Sequence, residues 1–416
     1  MVSTDQGAAR PRVTRGLAAT GLALLMGLQP VTTDIYLPSL PQLTHELGAS
    51  MSGAQMTMAA LLLAFGIAQL AWGPVADRFG RRPVLLAGLA LYTLSGAAAS
   101  MAPDIGWLIA ARAVQGACMA AAVVCARAML RDLYEPLEGA QVMSVGLTGL
   151  GLIALIGPSA GGLAAMVLGW RGTLWVVTAF GAAVLLFVAL RLPETLVQKN
   201  PKATRPGPLW STWRTLAAHP RFVAWTLLVT GSYGGLYVIL AASSFVYIGV
   251  LGLTALDYGL VLASNSLAYI GGTLLCRRLV ARFGLVGAVQ RGSLLTLAGG
   301  GAMAVLALAA GPSLWALLVP QWLYMVGHGV LQPVGQAAVV GPFPRQAGAA
   351  SALSGFAQAA VAFLIGLALG RLLGHSAVPM AAGVGLAAGV TGAVALWLAP
   401  RAERLAARAT PHEAAA

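Results

Sequence analysis

Three ionisable residues stand out by position. Asp34 sits in QPVTTDIYLPSLP, Gln29 to Pro41, near the end of a long apolar run and flanked by Pro30, Pro38 and Pro41. Arg112 interrupts another apolar run, in ARAVQGACMA. Asp77 lies in the polar loop GPVADRFGRRP, Gly73 to Pro83. A carboxylate in apolar surroundings can bind and release a proton or neutralise a nearby cation. In general, burial raises a carboxylate pKa and a neighbouring Arg lowers it. Asp34 is the only acidic residue in the interior of any apolar run. An intramembrane enzyme would need a clustered nucleophile, base or metal set. No His/Glu or Ser/His cluster falls at depth, and no Walker-type nucleotide loop is present. No cofactor or metal is therefore expected.

The elements that must position these residues are apolar helices. The chain has 416 residues, of which 58% are apolar and 9% charged, with a mean hydropathy of +0.82. A soluble chain carries roughly 25% charged residues. Apolar runs of the length that crosses hydrocarbon as a helix recur throughout. They fall at 16–40, 52–72, 83–101, 106–130, 140–166, 172–190, 221–249, 258–276, 287–310, 313–340, 348–373 and 376–399. The alternating pattern of a transmembrane barrel is absent. The fold class expected is an all-α integral membrane protein with twelve transmembrane helices. The net charge is +13, but the basic residues come in short clusters between apolar runs, as cytoplasmic loops do. Nucleic acid is therefore not an expected partner. Arg112 lies inside a run, and Arg171 and Arg371 lie at the opposite loops; the other Lys and Arg share one side with the termini. That bias puts both termini in the cytoplasm. Arg10, Arg12 and Arg15 precede the first run as in a signal peptide, but the run is long and lacks a cleavage site, so it reads as a retained span. Cys118 and Cys125 are about 10.5 Å apart on one helix, too far to bridge. With Cys276 they imply no disulfide framework.

A polar, Pro-rich and basic stretch, 191–220, separates six runs from six. The domains expected are a six-helix half at 1–190, a cytoplasmic linker, and a second six-helix half with a short tail at 221–416. ADRFG at 76–80 recurs as ARFG at 281–284, at the equivalent topological place. Parallel six-helix repeats around a midplane site are one established transporter plan. Asp34 lies seven residues before Pro41, and Arg112 seven after Ile105. Each is about 10.5 Å in from the outer end of its helix. The two helices run in opposite directions, so the charges can meet at similar depth. Pro30 cannot donate to the Met26 carbonyl, which predicts a bend just before the carboxylate.

Four motifs carry a family resemblance. Gly73, Asp77, Arg78, Gly80, Arg81 and Arg82 resemble the signature loop of the major facilitator superfamily at every defining position. The resemblance makes Asp77 part of a cytoplasmic gate that latches the halves in the outward-facing state; Ala281 takes its place in the second copy. RAVQG, with Arg112, Gln115 and Gly116, resembles the fourth-helix motif of drug:proton antiporters and implies that Arg112 takes part in proton coupling. GLIALIGPSAGG resembles the antiporter motif of that family. Gly157, Pro158, Gly161 and Gly162 match, while Ile153 stands where a leading Gly is usual. DIYLPSLP, with Asp34, Tyr36, Leu37, Pro38 and Pro41, resembles the first-helix signature of the Bcr/CflA multidrug efflux group. Asp34 is then the expected proton-binding group.

Candidate cavity residues are Tyr36 and Leu37, Gln115 and Met119 on the Arg112 face, Tyr233 and Tyr237, and Asn265 and Tyr269. The pocket is expected to be mainly apolar and aromatic. His328 reads as a hydrogen-bonded packing residue and Asp257 as an outer-loop acid. The function implied is proton-coupled efflux of small lipophilic drugs, of phenicol or bicyclomycin type, across a bacterial inner membrane. The expected partners are the drug, protons and the lipid bilayer, and the expected state is a monomer. A proton-coupled exporter of an endogenous metabolite is the alternative.

Overall fold

The structure is a computed structural model that describes residues 13–309, 313–343, 346–373 and 376–409. The described elements are all helical. They are α1 (Arg15–Asp34), α2 (Leu40–Glu46), α3 (Met51–Phe79), α4 (Arg81–Ser100), α5 (Ile105–Leu133), α6 (Pro136–Arg191) and α7 (Pro206–Ala218). They continue with α8 (Pro220–Ser244), α9 (Ala255–Ala309), α10 (Leu314–Val340), α11 (Ala347–Leu372), α12 (Val378–Ala393) and α13 (Ala399–Ala409). Water cannot satisfy backbone amides in hydrocarbon, so each apolar run closes its hydrogen bonds internally as a helix. Polar side chains start several of them. Ser50, Asp104 and Ser313 accept from Gly53, Trp107 and Ala316 N–H at 3.1, 2.9 and 3.3 Å.

Ten described helices are long and apolar enough to cross a membrane, against the twelve runs in the sequence. The difference lies in α6 and α9, which span 56 and 55 residues. About 20 residues suffice to cross hydrocarbon. Each contains one non-helical residue, Gly169 (φ 69°, ψ −176°) and Gly284 (φ 67°, ψ −177°). Gly80, between α3 and α4, has φ 111°. Only glycine adopts such backbone without strain. Gly80 and Gly284 are the corresponding glycines of ADRFG and ARFG, so the sequence repeat is also a repeat of backbone geometry.

Helix α1 continues past Pro30 to Asp34, and a short 3₁₀ turn, Leu37–Ser39, then leads into α2. A break in the helix thus follows the carboxylate. Pro38 has no N–H for the Asp34 carbonyl, and Pro41 none for that of Leu37, so two bonds three residues apart are missing.

Helix α5 packs on α1, α3 and α4, and α6 packs on α1 and α4. Helix α8 packs on α10, α11 and α12, and α9 on α10 and α12. Two seams join these groups, α3 with α11 and α6 with α9. The stretch 191–220 is not simply an extended linker. It contains α7, and it ties down the Gly80 turn. Glu194 accepts from the backbone N–H of Arg81 and Arg82 at 3.0 and 3.2 Å, capping the start of α4. Arg78 donates to Thr204 at 2.7 Å. The face with the Gly80 turn and this stretch is called the linker side below. Val167 and Leu386, 71% and 73% exposed, exemplify an outer surface that hydrocarbon would solvate.

A Cβ at Gly116 on α5 would fall on the Leu61 carbonyl of α3. Backbone cannot rotate away, so Gly116→Ala is expected to cost about 1–3 kcal/mol. Thermal unfolding of detergent-purified protein checks this; an unchanged midpoint would mean that α3 and α5 are not so close.

Candidate functional site

Arg112 is fully buried, at 0% exposure. Its guanidinium donates to Gln115 Oε1 at 2.8 Å and to the Thr32 carbonyl at 3.0 Å. It also lies 4.5 Å from the centroid of the Tyr36 ring. Tyr36 Oη pairs with Thr57 at 2.9 Å, and Thr32 with Tyr92 at 2.5 Å. Carbonyl, amide and π-face therefore take the place of a counter-ion. Among the described residues Arg112 forms no ion pair, so the meeting with Asp34 that their depth allows does not occur. The cause is rotation about the helix axis. Two residues advance an α-helix by roughly 200°. With Thr32 turned to α4 and α5, the Asp34 side chain turns away from them.

Asp34 faces the later helices. It accepts a hydrogen bond from Thr33 Oγ1 at 2.7 Å. It lies within electrostatic reach of the Tyr233 and Tyr258 hydroxyls on α8 and α9. Tyr233 in turn lines a cavity of about 190 Å³ on the linker side of Asp34.

That cavity is not mainly apolar and aromatic as expected. Gln29, Gln69, Gln332, Gln336 and Gln358 line it, with Arg127 and Ser351 at the linker-side end. Leu62, Phe65 and Val123 supply its apolar wall. Of the cavity residues read from the sequence, Tyr233 alone is on this lining. Tyr36, Leu37, Gln115, Met119 and Tyr237 are fully buried in helix packing, and Asn265 is 5% exposed. Tyr269 packs on His328, with ring centroids 5.6 Å apart. His328 is buried and bonded through Nδ1 to Ser232 at 2.8 Å, which fits the packing reading. Asp257 lies in the first turn of α9, paired with Thr254 Oγ1 at 2.7 Å.

The glutamines were missed, although each interrupts an apolar run; Gln332 and Gln336 even share a helix face at i, i+4. Arg127 was grouped with the loop cations, yet it lies inside α5. A residue near a run's end can belong to loop or cavity, and hydropathy does not decide which.

In the signature loop, Asp77 Oδ1 pairs with Arg81 at 2.6 Å, and Arg81 also reaches Asp132 at 3.1 Å. Arg82 donates to the Ala189 carbonyl at 2.8 Å, and a Cβ at Gly73 would only just reach Val124 on α5. The Asp77 pairing stays within α3 and α4, so here its side chain is not a latch to the later helices. The helix groups also touch away from the linker side. Gln55 on α3 donates to the Ala241 carbonyl on α8, and Ser266 on α9 to that of Ala154 on α6 at 3.1 Å. The antiporter motif lies among such contacts. Gly161 abuts the Ile35 backbone, Gly162 that of Ala255, and Pro158 faces Gly259, while Gly157 borders open space.

Apolar helices joined along two seams, with a small polar cavity between them, define a multi-pass membrane transporter fold. The sequence profile of the Major Facilitator Superfamily matches residues 22–309, and the chain belongs to that superfamily. It is accordingly a transporter and not an enzyme. Multidrug resistance protein D of Escherichia coli is 30% identical over 337 residues, covering 81% of this chain and 84% of the relative. A chloramphenicol resistance protein of Pseudomonas aeruginosa is 28% identical over 342 residues, covering 81% and 80%. These relatives agree with the resemblance to the Bcr/CflA group. The crystal structure of a D-xylose-proton symporter superposes with a TM-score of 0.73 at 16% identity, covering 92% of this chain and 97% of that one; it shows the shared fold.

Arg112→Lys keeps the charge but not the planar fork. One ammonium cannot serve Gln115, the Thr32 carbonyl and the Tyr36 face together, so a loss of about 1–3 kcal/mol is expected. The thermal midpoint of the variant against wild type checks it; equal midpoints would mean that these contacts do not form.

Proposed function

We propose that the chain exports small drugs in exchange for protons, with Asp34 as the exchanging group. The observation that carries this reading is the setting of Asp34. A carboxylate with no cation partner among the described residues, held by one hydroxyl, can change protonation without breaking an ion pair. It lies at the end of α1, just before the 3₁₀ turn that packs on α8 and α9, next to a residue that lines the cavity. Gain or loss of its charge there alters the energy of closing that seam, which is what alternating access requires.

In this reading α6 and α9 each supply two spans, hinged at Gly169 and Gly284, and the total is twelve. The two six-helix halves are 1–190 and 221–416, joined by the 191–220 linker. Both termini and the Gly80 turn face the cytoplasm of a bacterial inner membrane, and the chain acts as a monomer. The structure then corresponds to an inward-facing state, with Gln55 on the Ala241 carbonyl closing the outer side. Asp77, free of the second half here, latches it when the cytoplasmic side closes, with Arg78, Gly80, Arg81 and Arg82 shaping the turn. The relatives named for multidrug and chloramphenicol resistance support drugs of phenicol type, and the Bcr/CflA resemblance extends this to bicyclomycin-like compounds. Export of an endogenous metabolite is the second reading, favoured by the hydrogen-bonding glutamines in the cavity.

Purified protein in liposomes with an imposed pH gradient tests the proposal. Labelled chloramphenicol and internal pH are followed together. Wild type is expected to move drug against protons, and Asp34→Asn to lose that coupling. Equal coupling in the variant would remove Asp34 from the mechanism. No drug movement by wild type would favour the metabolite reading.

A further inference from the structure

We propose that the cavity holds an anionic group, a carboxylate, on Arg127, with a hydrogen-bond donor of the same molecule on Gln332. This deepens the transport reading above and rests on it for the role of the cavity. Arg127 is the one charged residue on the described lining. Its Nη1 donates to Ser351 Oγ across the α5–α11 gap at 3.1 Å, which leaves most of its five donors free among the described contacts. Arg131, one turn further along α5, adds a second positive charge nearby.

Three carboxylates near this end are committed elsewhere. Asp77 and Asp132 pair with Arg81. Glu194 accepts from the backbone of residues 81 and 82 and from its own neighbours Thr195 and Leu196. No acidic residue is on the described cavity lining. A cation without a carboxylate partner at the exposed mouth of a polar cavity is a site for a ligand anion, where charge-assisted hydrogen bonds are strong.

The far wall asks for the opposite chemistry. Gln332 gives its amide N–H to Gln358 Oε1 at 3.0 Å, and Gln358 gives its own to the Ser354 carbonyl at 3.2 Å. This chain of donors leaves Gln332 Oε1 buried and unpartnered among the described residues. A buried acceptor without a donor is costly, so a ligand N–H or O–H would satisfy it. The cavity therefore selects organic acids that also carry an amide or hydroxyl donor, and it disfavours lipophilic cations.

The test measures equilibrium binding to the full-length protein in lipid nanodiscs, using matched pairs of ligands. One pair is chloramphenicol succinate against neutral chloramphenicol; the other is 4-aminobenzoate against 4-aminobenzamide. Wild type is expected to bind the acid of each pair about tenfold tighter or more, as a hydrogen bond to a charged group would give. Arg127→Gln is expected to erase that preference while leaving neutral ligands little changed, and Arg127→Lys to keep part of it. A preference for the acid in the benzoate pair, with no binding of either phenicol, would uphold the anion site and overturn the drug reading. No preference for the acid in either pair would overturn the anion site. So would an equal loss of acid and neutral ligand in Arg127→Gln, because that is the signature of a structural role.

Discussion

The hydrogen bond from the Arg112 guanidinium to the Thr32 carbonyl fixes how α1 is turned in the bundle. A buried guanidinium must place its donors on something, and here it uses a main-chain oxygen of α1 rather than the nearby carboxylate. Thr32 and Tyr92 lock the same rotation from the α4 side. Asp34, two residues on, is then directed away from the cation and toward α8 and α9. An Asp34–Arg112 ion pair would hold its charge within one group of helices. The observed rotation instead places the charge at the junction with the other group.

Small residues make that junction responsive. Helix α6 meets α1 and α9 through Gly161 and Gly162, where backbone lies directly against backbone. Small residues let helix backbones approach this closely in a membrane. The cavity lies on the linker side, where Arg127 reaches Ser351 across the gap between α5 and α11. The Gly80 turn is braced by Glu194, Arg81 and Asp132 without any tie to α11 through Asp77. Asp34 thus neighbours Tyr233, and Tyr233 shares the cavity lining with Arg127.

Hydropathy made the helices legible, because crossing hydrocarbon demands length and apolarity whatever the packing. The turns at Gly169 and Gly284 fall in the gaps left between apolar runs, and the ADRFG/ARFG repeat marked the glycine that turns the backbone at Gly80 and Gly284. Depth along a helix was also legible, which is how Asp34 and Arg112 were set at one level. Azimuth was not, since it depends on neighbours from distant parts of the chain, such as Tyr92 for α1. The same gap explains the cavity. Tyr36 and Met119 have suitable types for a pocket wall but are turned into the packing, while glutamines scattered over α1, α3, α10 and α11 converge only in three dimensions. Arg127 looked like a loop cation because it lies near the end of an apolar run.

The central claim is that one carboxylate, Asp34, exchanges its proton for drug. The most direct measurement is proton release on binding, with detergent-purified protein in a weakly buffered, dye-containing solution. If drug favours the deprotonated form, adding chloramphenicol to wild type will release protons in proportion to occupancy, and Asp34→Asn will release none while still binding. Binding without proton release in wild type, or equal release from the variant, would contradict the account.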